Sequence, residues 1–127
     1  MRPTILTFNL NENRLSRLRF LCMKLGLAVR PVPAEDFCQP ISALCGLSAP
    51  AEAAPAEAFP EEMLLFCHMD NAQVNRFLQP ARQLRFAPVA LTAVLTPTNA
   101  AWTPVQLCAE LKDERAAVMQ GEAAHEE

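Results

Sequence analysis

The chain carries one pattern twice. With Asn11 set against Asp70 and no gaps, Ile5-Leu6 meets Leu64-Leu65, Leu10 meets Met69, Leu15 meets Val74, Arg17 meets Arg76, Leu18 meets Phe77 and Leu25 meets Leu84. Each copy reads as a short apolar run, a residue able to cap a helix, a helix with one apolar stripe, and a second short strand. Two successive βαβ units predict an α+β, ferredoxin-like fold, in which two helices pack on one face of a four-stranded antiparallel sheet, with an inserted short helix and a C-terminal helix added. The alternative is a small α/β doubly wound parallel sheet, with the segment around Phe37 as a crossover helix. Pro31 and Pro33 cannot donate to a ladder, which makes the second strand an edge or an early-ending strand and favours the ferredoxin-like arrangement.

The first copy shows the elements in detail. Residues Thr4 to Leu10 form the first strand, Asn11 is placed as an N-cap, and the helix ends at Gly26. Leu15, Leu18, Leu21, Cys22 and Leu25 share one side of it, with Arg17 and Lys24 opposite. Phe20 and Met23 point away from that stripe, so with Arg17 they are the candidate interface for a homo-oligomer or a protein partner. A second strand spans Leu27 to Val32. Ala34 to Cys45 reads as a short helix carrying Phe37, Ile41, Leu44 and Cys45, interrupted at Pro40 and ended by Gly46. Residues 47–60 repeat Pro-Ala-Glu-Ala and read as a flexible loop. The expected organisation is a single domain over 1–120 and an acidic disordered tail over 121–127, where His125 is solvated.

Val89 to Leu111 combines a strand, a polar loop and a capped helix. The strand carries Val89, Leu91, Val94 and Leu95 and stops at Thr96-Pro97. Thr103 is placed as the N-cap of the last helix, Pro104 sits at its first position, and Gln106 is spaced for a capping box. The last helix is expected from Thr103 to about Gln120, with Val105, Cys108, Leu111 and Val118 covering the second sheet face. Two readings of Thr96 to Trp102 stay open. In one, Thr98 and Asn99 satisfy loop amides and Trp102 staples the helix start. In the other, Thr98, Asn99 and Trp102, with His68 nearby, bind a small ligand or an anion at the helix N-terminus.

The run Leu95-Thr96-Pro97-Thr98-Asn99-Ala100-Ala101-Trp102, with Phe20-Leu21-Cys22-Met23-Lys24-Leu25-Gly26 and Gln39-Pro40, resembles an uncharacterised bacterial domain-of-unknown-function family, similar to domain of unknown function 3783. The likeness covers most of the chain, without the Ala/Pro-rich middle and the acidic tail. It implies no activity, substrate or cofactor.

Charge and cysteine usage narrow the function classes. Residues 1–30 hold six basic and one acidic side chain, while 31–63 hold six acidic and none basic, so Arg14, Arg17, Lys24, Arg76 and Arg82 form a basic helix face that the middle segment can neutralise. A pI near 5.4, no tyrosine and no aromatic pattern on the strands argue against nucleic acid. The five cysteines are odd in number and lack paired short spacing, which predicts buried free thiols and no metal site. Cys67, His68 and Asp70 end the third strand, on the rim that holds the Thr96–Trp102 loop; in the ferredoxin-like order one strand separates the two. Neighbours on a strand face opposite ways, so Cys67 and His68 do not form a nucleophile and base. No catalytic residue and no cofactor are implied. The N-terminal segment is too short and too polar for a signal peptide or a membrane span, which points to a cytoplasmic protein. The expected function is that of a non-catalytic binding or regulatory module.

Overall fold

The computed structural model describes residues 2–52, 54, 58–83 and 91–125, with side chains followed to 78 in the third helix and to 117 in the last. Leu84 and Val89 lie outside the described residues, as do the side chains of Arg82 and Val118.

Two strands form the centre. β1 (Thr4–Phe8) and β3 (Met63–Cys67) pair antiparallel, with Leu6 opposite Leu65. β2 (Ala28–Pro31) lies parallel to β1 and β4 (Leu91–Val94) parallel to β3, giving the order β2-β1-β3-β4. The helices are α1 (Glu12–Leu25), α2 (Ile41–Leu44), α3 (Asn71–Gln83) and α4 (Pro104–His125), so the last helix runs past Gln120 into the residues expected as a tail. The protein is α+β.

The sequence repeat is also a repeat of register. Thr4 faces Ala28 as Met63 faces Leu91, and Thr7 faces Pro31 as Phe66 faces Val94. Beyond each ladder, Val32 N–H donates to Thr7 O and Leu95 N–H to Phe66 O, both at 2.9 Å. Each βαβ unit is thus closed on itself, and the units meet back to back through β1 and β3.

This corrects the expected all-antiparallel sheet: only β1 and β3 run antiparallel, and the other two pairs are parallel. Nor is the sheet parallel throughout. A ferredoxin-like order needs β2 and β3 as hairpin partners, and hairpin loops are a few residues long. The link here runs from Val32 to Glu62 and lays Phe37, Ile41 and Leu44 over a sheet face instead. As a result β4 lies directly beside β3, where the expected order put one strand between them.

Side-chain alternation along the central strands separates two cores. Ile5, Leu64 and Phe66 face α1 and α3, meeting Leu18, Leu21, Cys22 and Phe77. Leu6, Phe8, Met63, Leu65 and Cys67 face the other way, onto Phe37, Ile41, Leu44, Leu107 and Cys108. Phe37 stacks on Phe59 at 4.6 Å between ring centres, with Phe8 at 5.8 Å from Phe37. The second face is therefore closed by the chain between β2 and β3 together with α4.

The helix ends follow local chemistry. Asn11 accepts from Arg14 N–H at 2.9 Å, and Gly26 ends α1 at φ 71° with its N–H directed to Cys22 O and Met23 O. At the equivalent start of α3, Asp70 accepts from Gln73 N–H at 2.8 Å while the Gln73 side chain accepts from Asp70 N–H at 3.0 Å. The segment after β2 splits at Pro40, as its sequence requires, into a 3-10 turn (Ala34–Asp36) and α2. Described residues of the 47–60 stretch are tied at two places: Gln39 exchanges two hydrogen bonds with Ala51, and Asn9 Nδ2 donates to Phe59 O and Glu61 O. No helix among the described residues is long and apolar enough to cross a membrane.

Leu65 is fully buried opposite Leu6, and Leu65→Ala lowers stability by ~2–5 kcal/mol in urea unfolding. Gly26→Ala costs ~1–2 kcal/mol for its left-handed backbone alone, since no atom lies within 4 Å of an added Cβ. The exposed Phe20→Ala changes stability by less than about 0.5 kcal/mol.

Candidate functional site

The loop after β4 is built around Asn99. Its side chain is buried, with Oδ1 accepting from Thr96 N–H at 2.9 Å and Nδ2 donating to Val94 O at 2.9 Å, while its own N–H donates to Thr96 Oγ1 at 3.1 Å. These bonds shape the turn through Asn99–Ala101 and leave Trp102 extended, its N–H on Asn99 O at 3.0 Å. Thr103 then caps α4, its Oγ1 accepting from Gln106 N–H at 3.3 Å and its carbonyl from Leu107 N–H at 3.0 Å. Trp102 is half-buried against the second core, and its carbonyl accepts from Ile41 N–H at 2.8 Å, tying the loop to the start of α2.

The bond from Asn99 to Val94 has a second effect. Leu95 N–H points to β3, so by the alternation of a strand Val94 and Thr92 direct their backbone groups outward. Among the described strands β4 is an edge, and Asn99 occupies one of its outward carbonyls. Thr92 and the N–H of Val94 remain on that edge.

A groove of about 360 Å³ runs along this edge. Its floor and one wall are Thr92, Val94, Thr98, Asn99 and Trp102; the opposite wall is α4, through Leu111, Glu110 and Glu114. Glu110 and Glu114 are exposed and one helical turn apart, so their carboxylates share a face, and no basic side chain lines the groove among the described residues. Lys112, on the same helix, is paired, its Nζ lying 3.2 Å from Glu61. The periodicity that located Cys108 and Leu111 also places Glu110 and Glu114, but nothing in the sequence brings their side of α4 to β4.

His68 stands apart from this groove. It lies in a second, shallower concavity of about 410 Å³ with Met69, Asp70, Gln73 and Leu95, next to the first through Val94, which lines both. The residue has positive φ (59°), and its Nε2 lies 3.1 Å from Cys45 O. Asn9, its equivalent in the first repeat, has φ 65°. Thr98, Asn99 and Trp102 therefore gather at one groove and His68 at its neighbour.

Phe20, Met23 and Arg17 all lie exposed on α1, which packs on the sheet face opposite α4 and so away from the groove between β4 and α4. Lys24 Nζ sits 4.5 Å above the Phe20 ring. Of the expected basic face, Arg14 is held by Glu62 at 2.6 Å, so the acidic segment before β3 reaches that face.

Four of the cysteines are buried thiols and Cys38 is half-exposed. Burial pushes Cys22 up to about 12 and raises Cys108. Cys67 turns away from His68 and meets Cys45, sulfur to sulfur at 2.8 Å, a pairing that sequence spacing does not suggest. No cluster of three metal-ligating side chains exists among the described residues.

Residues 62–118 match the family described as a domain of unknown function (DUF3783). The match holds β3, β4, the Asn99 loop and the start of α4 through Glu114, hence both concavities; it leaves Phe20–Gly26 and Gln39-Pro40 outside. No curated protein and no solved structure matches the chain.

Asn99→Ala removes the two hydrogen bonds of the amide side chain and strands Val94 O and Thr96 N–H, so it lowers stability by about 2–4 kcal/mol and the melting temperature with it. Thr98→Ala, whose side chain is exposed, leaves melting unchanged to within a degree or two. Thermal unfolding of both variants by circular dichroism checks the contrast.

Proposed function

We propose that this protein is a non-catalytic binding module whose groove between β4 and α4 takes an extended peptide segment of another protein, with a lysine or arginine side chain seated between Trp102, Glu110 and Glu114. The observation that carries this reading is that two exposed carboxylates and the chain's single tryptophan line one groove along the edge of β4. A cation gains from both walls, through charge on α4 and the ring face of Trp102. An anion meets two carboxylates there and finds amides of the α4 start already bonded to Thr103. The ligand is therefore cationic, in place of the anion considered from the helix N-terminus.

The backbone supports an extended ligand. Thr92 and Val94 N–H are outward-facing groups on an edge strand, the arrangement by which a peptide adds to a sheet. Asn99 sets the limit, since it fills Val94 O and stops pairing there. The added strand is thus short, and affinity depends on the seated side chain.

Trp102 emission is the readout, because the chain has one tryptophan and no tyrosine. An extended peptide with a central lysine or arginine shifts it, and the affinity falls as salt is raised. Glu110→Gln combined with Glu114→Gln weakens binding at least about tenfold, a loss of ~1.4 kcal/mol, while melting stays as in the parent. An acidic peptide of equal length producing the same shift, or the double variant binding as the parent does, overturns the reading.

A further inference from the structure

We propose that Cys45 and Cys67 are a redox-active dithiol, which a hydroperoxide closes to a disulfide. The two residues come from unrelated elements, Cys45 from the end of α2 and Cys67 from the last position of β3, and their sulfurs face each other at 2.8 Å. Closure to a disulfide of about 2.05 Å asks for a movement of under about 1 Å.

The backbone around the pair is held from outside it. Cys45 N–H donates to Ile41 O at 2.9 Å, its carbonyl lies 3.1 Å from His68 Nε2, and Arg30 Nη1 donates to Leu44 O at 2.9 Å. These ties fix the approach of α2 to the end of β3 whether or not the thiols interact. Cys22 lies on the opposite face of the sheet and does not compete by position, and of the thiols in the second core the sulfurs brought together are those of Cys45 and Cys67.

The environment assigns the roles. Cys45 is 9% exposed and Cys67 fully buried, so an oxidant meets Cys45 first. The hydrogen bond from Cys67 holds the Cys45 thiol below its ordinary value against the opposing effect of burial, with help from the Arg30 charge; the same bond and burial push Cys67 up. The Cys45 thiolate attacks one peroxide oxygen, the O–O bond breaks, and the departing oxygen takes a proton, leaving Cys45 as a sulfenic acid. The Cys67 sulfur then attacks the Cys45 sulfur, the S–O bond breaks, and the hydroxide leaves with the Cys67 proton as water. With hydrogen peroxide, two thiols and one peroxide give one disulfide and two waters.

The test uses the full chain, reduced, then exposed to hydrogen peroxide, denatured, alkylated and mapped by mass spectrometry. The expected result is loss of two of the five thiols, a Cys45–Cys67 cross-linked peptide pair lighter by two hydrogens, and recovery of all five on treatment with dithiothreitol. Cys67→Ser removes the resolving thiol, so a sulfenic-acid trap such as dimedone labels Cys45 in that variant and not in the parent. Five alkylatable thiols after oxidation, oxidation to sulfinic acid without a cross-link, or a cross-link between other cysteines overturns the proposal on the parent chain alone.

Discussion

The antiparallel pairing of β1 with β3 is the joint on which the molecule depends. Leu6 and Leu65 sit opposite one another at its centre, and the repeat equivalences and ladder registers on either side are related through that pair. Every residue of β3 and four of the five in β1 are buried, so both faces of the sheet need cover. Each repeat supplies one helix, and α1 and α3 share a face. The second face has no repeat-encoded cover, which is why the chain between β2 and β3 and the helix after β4 are both needed. At ~1.5–3 kcal/mol for each buried Leu, Ile or Phe, that second cover amounts to a stability contribution comparable to that of the repeated helices.

The features readable from sequence were those set by neighbours along the chain. Asn11, Asp70, Gly26 and Thr103 mark helix ends through bonds to residues three or four positions away, and Pro104 opens α4 where its missing N–H costs nothing. The repeat gave two βαβ units. Their joining was not readable, because the ferredoxin-like and observed orders use the same strands and helices and differ in which of β2 and β4 lies beside β1 and which beside β3. That choice rests on residues 32–62, where the spacing of Phe37, Ile41 and Leu44 declares a short helix but not the sheet face that it and Phe59 cover. The candidate loop was legible as a corner with capping chemistry, while Asn99's hold on Val94 O and the facing of Glu110 and Glu114 depend on tertiary placement.

The two repeats share a scaffold and diverge at one equivalent point. Asn9 and His68 both follow a central strand with positive φ, a cost that persists only where something is gained. Asn9 uses its side chain to hold the chain entering β3, and Arg14 nearby takes Glu62. His68 instead reaches across to Cys45, fastening α2. The first repeat is thereby closed over by its own chain, whereas the second keeps its concavities open and has α2 held against it. The stretch 62–118, matched by the family, is that second half.

α2 connects the features that the second half gathers. Its first N–H holds Trp102 O, and Cys45 caps its far end. A four-residue helix has too little internal hydrogen bonding to stand alone, so its position is set by Trp102 at one end and by His68, Arg30 and Cys67 at the other. Movement at either end is felt at the other, since a segment one turn long has no slack to absorb it. The edge of β4 is managed by the same economy: Asn99 blocks one acceptor, and Glu110 and Glu114 place negative charge along the groove beside it, which discourages an apolar strand or an acidic one and is the ground for the cationic segment proposed above.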